Sequence, residues 1–135
     1  ELKYPNLIHP ASSSGTFQLE RIKSKQGNII TAGVRFTNNI DIGNFGIYNL
    51  NATIGHDCII EDYVNIAPGA NISGNVKLCE CVYVGTNSAI LQGKSAKNKM
   101  ILGKKSTIGA GALVSADVDA HDTVVGVPAK SIKKK

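Results

Sequence analysis

The chain is short of the residues that mark secreted, membrane-spanning or nucleic-acid-binding proteins. It has 135 residues, with no tryptophan, one methionine, three cysteines and 5% aromatic side chains. An odd, small cysteine count does not suit a secreted disulfide framework. Cys79 and Cys81 form a C-x-C, but no second Cys or His pair stands at metal spacing, so a metal site is not expected. No stretch approaches the roughly 18 apolar residues of a membrane span, and no charged-then-apolar leader opens the chain. A soluble, cytoplasmic protein with no membrane partner is therefore expected. Nine of the 15 basic residues lie from Lys94 onward, yet no aromatic follows Tyr83. A nucleic-acid surface would interleave the two, so Lys133 to Lys135 read as a solvated tail. The chain opens on Glu1 rather than methionine and reads as a piece of a longer protein, which leaves room for an upstream domain.

What is present is a repeat. Ile54, Ile60, Ile66 and Ile72 recur every sixth residue, each preceded at two places by Ala52, Cys58, Val64 or Ala70. Stepping by six from Ile30 reaches an apolar residue at all fifteen positions to Val114. At 42% hydrophobic composition the chance of that is about two in a million. Six residues of α-helix turn through about 600°, so such a column would scatter over several faces. Residues two apart share one face of a strand, so each small and large pair describes a short strand with both side chains inward. Glycines at the breaks (Gly43, Gly55, Gly85, Gly103, Gly109) supply corners. Fixed-period short strands with turning corners form a parallel β-helix, whose stacked coils bury one continuous core.

On this reading residues 1–29 form an irregular first coil that caps the core through Leu7, Ile8, Phe17, Leu19 and Ile22. Residues 30–119 make five coils of eighteen, stacked roughly 4.8 Å apart, and residues 120–135 form a basic tail. Gln18 and Ser24 break the phase near the start. Lys94 interrupts the inward column, so Gly93 to Met100 is expected to be a corner loop or distorted coil. Asn38, Asn39, Asn49 and Asn51 suit corners, because asparagine tolerates left-handed backbone. His9 reads as a capping side chain and Cys58 as a core filler.

His56 follows Ile54 by two places, at an outward or corner position, and Asp57 is next to it. A neutral imidazole can accept a proton from an attacking group, and a carboxylate neighbour fixes its tautomer. One coil on from His56 is Gly74, and the same column is expected to continue to Gln92 and Ala110, with Asn75, Gly93 and Gly111 alongside. This small-residue track could let an extended ligand lie close to the main chain and reach the basic end.

The stretch IGHDCIIEDYVNIAPGANISG, followed by IGAGALV and GVPAK, resembles the sugar acetyltransferases of the sialic acid O-acetyltransferase and bacillosamine N-acetyltransferase group. The resemblance runs from Leu7 to nearly the end of the chain. It implies an all-β, left-handed parallel β-helix and acetyl-CoA as donor. It further implies a sugar or nucleotide-sugar acceptor, and a homotrimer with active sites between subunits. Matched residue by residue, it makes His56 the catalytic base and Asp57 its acidic partner. It adds Asn65, Gly74, Thr86, Ala110 and Gly111 as cofactor contacts, with no metal. The acceptor group is an amine by first choice and a hydroxyl by second. Two rivals share the prism. A γ-class carbonic anhydrase fails because His121 lies more than three coils from His56; a non-catalytic trimerisation scaffold is opposed only by the His56-Asp57 pair and the track.

Overall fold

The computed structural model describes residues 2–133 of the chain. Nearly every strand is two residues long, with its second side chain buried and its first directed outward. They build three parallel faces. The first holds Leu7–Ile8, Ile29–Ile30, Ile47–Tyr48, Asn65–Ile66, Tyr83–Val84, Thr107–Ile108 and Thr123–Val125, closed by the antiparallel Lys130–Ser131. The second runs from Ser13–Ser14 to Leu113–Val114 in six strands, and the third from Asp41–Ile42 to Met100–Leu102 in four. The winding is a left-handed β-helix of about seven turns. The right-handed rule for parallel crossovers describes helix-length connections packing back on a twisted sheet. Four-residue corners between two-residue strands escape that constraint.

Fourteen of the fifteen period-six residues are buried, and Ala96 alone is exposed. Its exposure corrects the count. Registers of eighteen link Ile29, Ile47, Asn65 and Tyr83, but Tyr83 faces Thr107, twenty-four residues on. The extra six residues fall within the loop Gly93 to Lys99. They lie between Ala89–Ile90 and Met100–Leu102, where Ser95 and Asn98 exchange two backbone hydrogen bonds. An insertion one repeat long leaves the phase intact while displacing every later coil.

The solenoid also takes in both ends. Leu7–Ile8 and Ser13–Ser14 pair with the coil after them, and the short helix Gln18–Lys23 stands in for the missing strand on the third face. Gln18, which breaks the period, is buried: its amide nitrogen donates to the Ile40 carbonyl (2.7 Å) and its oxygen accepts from the Ile40 amide (2.9 Å). One side chain thus replaces a strand's ladder bonds. Ile22 closes the core, whereas Leu7, Phe17 and Leu19 remain exposed. At the other end Thr123–Val125 continues the first face before the chain turns at Gly126. Lys134 and Lys135 of the expected tail lie outside the described residues.

A second period of six governs the corners. Gly27, Gly33, Asn39, Phe45, Asn51, Asp57, Tyr63, Gly69, Asn75, Cys81, Asn87, Lys105 and Gly111 all have left-handed backbone, with φ between 53° and 75°. Only Gly, and to a lesser degree Asn and Asp, take that conformation without strain. Asn39 and Asn51 therefore turn corners as expected.

Candidate functional site

His56 stands at the corner between the second and third faces. Ile54 ends one strand inside the core, Asp57 turns the chain at φ 57°, and Cys58 re-enters the core. The outward direction of the imidazole follows from this alternation; its side chain is 60% exposed. Its Nδ1 lies 2.7 Å from Asp57 Oδ2, while the Asn39 amide, eighteen residues earlier, donates to Oδ1 of the same carboxylate. The hydrogen bond to His56, then that from Asn39, holds the Asp57 carboxyl below its usual range, and the charge of Lys99 acts in the same direction. An ionised Asp57 takes the Nδ1 proton as its hydrogen bond, which leaves Nε2 as the basic nitrogen.

Gly74 lies directly beneath the ring. A Cβ built there would stand 2.5 Å from His56 Nε2 and 2.7 Å from Cε1. Absence of a side chain is thus what seats the imidazole. Among the described residues the Gly74 amide has no acceptor, and the neighbouring Asn75 Oδ1 is buried without a donor. The inserted loop returns to this corner, where Lys99 Nζ donates to the main-chain carbonyl of Asp57.

The other sequence candidates are placed elsewhere on the chain. Register carries His56 to Gly74 and Gln92, but the long coil then sets Ile90 beside Val114, so the column continues to Ala116 and not to Ala110. Ala110 and Gly111 instead stack on Thr86 at the corner between the first and second faces, where the Gly111 amide donates to the Thr86 carbonyl (2.8 Å). Those three are exposed, and a Cβ at Gly111 would meet nothing within 4 Å. Asn65 is half-buried on the first face, where its side-chain oxygen accepts from Asn49 at 3.3 Å. Of the five cofactor candidates only Gly74 shares the His56 corner in one chain. Asn39 and Lys99 were missed. Asn39 stands one coil before Asp57 and was legible from the period; Lys99 depends on the insertion.

The remaining residues behave quietly. His9 Nδ1 accepts from the amide of Ala11 at 3.0 Å within its own turn. His121 turns a different corner at φ 59°. Cys58 is buried, and that burial raises its thiol pKa; Cys58, Cys79 and Cys81 are all free. Among the described residues no three His, Cys, Asp or Glu side chains converge, and no helix is long and apolar enough to cross a membrane. A pocket of about 370 Å³ beside the inserted loop is lined by Gln92, Lys94, Lys99 and Asp117, and does not include His56.

No protein-family model matches the chain. It is 39% identical over 108 residues to the GDP-perosamine N-acetyltransferase of Escherichia coli O157:H7, covering 80% of this chain and 48% of that protein. Among solved structures, WeeI from Acinetobacter baumannii AYE is 35% identical with a TM-score of 0.77, covering 94% of this chain and 54% of that one. The acetyltransferase domain of PglB from Neisseria gonorrhoeae FA1090, in complex with acetyl coenzyme A, is 30% identical with a TM-score of 0.83. That match covers 97% of this chain and 59% of the other. The chain spans about half the length of the curated relatives it matches. Its period-six solenoid and these likenesses together make it a left-handed β-helix similar to the hexapeptide-repeat sugar N-acetyltransferases.

Proposed function

We propose that the chain is the catalytic β-helix of an enzyme that moves the acetyl group of acetyl-CoA onto an amine of a nucleotide-linked sugar, with His56 as general base. The observation that carries this reading is the His56 ring itself: a largely exposed imidazole with Nδ1 engaged by an ionised Asp57 and Nε2 seated over bare main chain. Relatives named for sugar N-acetylation and for an acetyl coenzyme A complex support an amine acceptor and that donor.

His56 Nε2 takes the proton that the amine sheds as its nitrogen bonds to the acetyl carbonyl carbon. The Gly74 amide, which has no acceptor among the described residues, is available as a donor to the oxyanion that develops there. Collapse breaks the carbon–sulfur bond, and His56 returns the proton to the leaving thiolate. No acyl-enzyme is needed, since Cys58, the nearest nucleophile, is buried and held protonated.

A 60% exposed imidazole lacks the concave surroundings a small-molecule site requires. A neighbouring copy supplies the second wall. Thr86, Ala110 and Gly111 line a different edge of the same prism, and Asn65 a different face. In a homotrimer they reach the cofactor from the adjacent chain.

The test is thiol release from acetyl-CoA with nucleotide-linked amino sugars as acceptors. His56→Ala should lower turnover by about 10² to 10⁴ while acetyl-CoA affinity stays within about twofold. Native turnover in that variant would remove His56 as base. Release only with hydroxyl acceptors would move the chemistry to O-acetylation, and no acetyl-CoA binding at all would favour the scaffold.

A further inference from the structure

The inserted loop has a use that the period-six pattern does not require. Gly93 to Lys99 leaves and re-enters the solenoid at the His56 corner, one coil beyond Gly74. A Cβ at Gly93 would stand 2.1 Å from the Asn75 carbonyl oxygen and 2.9 Å from Lys99 Cα. The loop is therefore folded hard against the coil beneath it. The Ser95–Asn98 hairpin fixes its tip, with the Asn98 amide also donating to Ser95 Oγ at 3.1 Å.

Its three lysines then part ways. Lys94 and Lys97 are exposed, whereas Lys99 is half-buried and runs back past Asn75 to the Asp57 peptide. Among the described residues no backbone amide donates to the Asp57 carbonyl, so the Lys99 ammonium is its partner. That peptide carries the left-handed turn on which the imidazole and the carboxylate are both mounted.

We propose that Lys99 is a positioning residue for the His56–Asp57 pair: the inserted loop delivers its ammonium to the Asp57 peptide, which pins the corner and places a positive charge behind the pair. This rests on the function proposed above. The groups facing the pair are the Asn39 amide from the coil before, Gly74 and Asn75 from the coil after, the buried Cys58 thiol, and Lys99. Lys99 is the one cation among them, so its charge favours the ionised form of the Asp57 carboxyl.

The chain has three histidines, His9, His56 and His121. Carbon-13 labelling of histidine therefore gives a resolvable probe of the corner, with His56→Ala assigning the signal. In Lys99→Met the His56 signal should leave its native position at fixed pH and turnover should fall about tenfold, the order seen when a group that orients a working side chain is lost, with the melting temperature nearly unchanged. Lys99→Arg should restore both readouts, and Lys97→Met, a charge loss on the same loop without the contact, should change neither. Either readout unchanged in Lys99→Met, or the same changes in Lys97→Met, overturns the inference. The two readings fail separately: an unchanged Lys99→Met beside a strong His56→Ala loss of turnover sinks only the positioning role. Native turnover in His56→Ala sinks both.

Discussion

Two corners of the same coils use one backbone and end differently. At the corner between the first and second faces the left-handed positions run Gly33, Asn51, Gly69, Asn87, Gly111. Each asparagine fills the space over the glycine one coil earlier: a Cβ at Gly33 would meet Asn51 Oδ1 at 2.0 Å, and one at Gly69 would meet Asn87 Oδ1 at 2.1 Å. At the His56 corner the same positions run Asn39, Asp57, Asn75. There Asn39 serves a carboxylate, Asn75 Oδ1 is left unpaired, and the bare residue, Gly74, carries an imidazole. The first corner completes itself; the second leaves groups open. An Asn, Asp or Gly at a corner is thus explained by the turn, and chemistry is marked by what departs from the ladder.

Gly74→Ala should separate the corners most sharply. Its near neighbours are atoms of an exposed ring that can swing aside, and Gly74 does not have left-handed backbone, so the fold should hold. Turnover should fall about a hundredfold, the order expected when a catalytic group is displaced by an ångström, with the melting temperature nearly unchanged. Equal activity would mean that the ring does not work from this seat.

Asp57→Asn keeps a residue suited to left-handed backbone while removing the charge. Turnover should drop about tenfold to hundredfold, as for loss of a partner that orients a histidine. A comparable loss of melting temperature would instead make Asp57 a structural turn like Asn51.

The opposite result is expected from Gly69→Ala at the self-completed corner, where φ is +68° and the Asn87 side chain must move. Stability should fall by about 1–2 kcal/mol, measured by denaturant unfolding, with turnover per folded molecule unchanged.

The smallest effect belongs to the Glu61–Lys77 pair, joined at 2.8 Å across one coil beside the third corner. The hydrogen bond from Lys77 is the main cause lowering the Glu61 pKa. A depressed carboxylate contributes stability that is full above its unfolded pKa, about 4.3, and is lost as pH falls through the lower folded value. Both partners are more than a third exposed, so Glu61→Gln should cost under about 1 kcal/mol near pH 7. Melting followed from pH 7 to 3 should show native and variant converging.

Much of this was legible because a solenoid repeats its physics. The inward column placed fourteen buried residues correctly and put Gly74 beside His56. It failed where one hexad-long insertion hid inside the period, which put Ala110 on the wrong column. Gln18 also escaped, because a side chain that imitates a strand's main chain breaks the hydrophobic pattern while serving the same ladder. Lys99 meets Asp57 across 42 residues through that same loop, a contact no spacing rule encodes.

The loop at Gly93 shows where a molecule of this design has freedom to change. An excursion that starts and ends at one corner leaves all three walls in step above and below it, so the interior need not be rebuilt. Diversity can accumulate along the edges as side branches on an unaltered column, each able to bring a new functional group to chemistry several layers away.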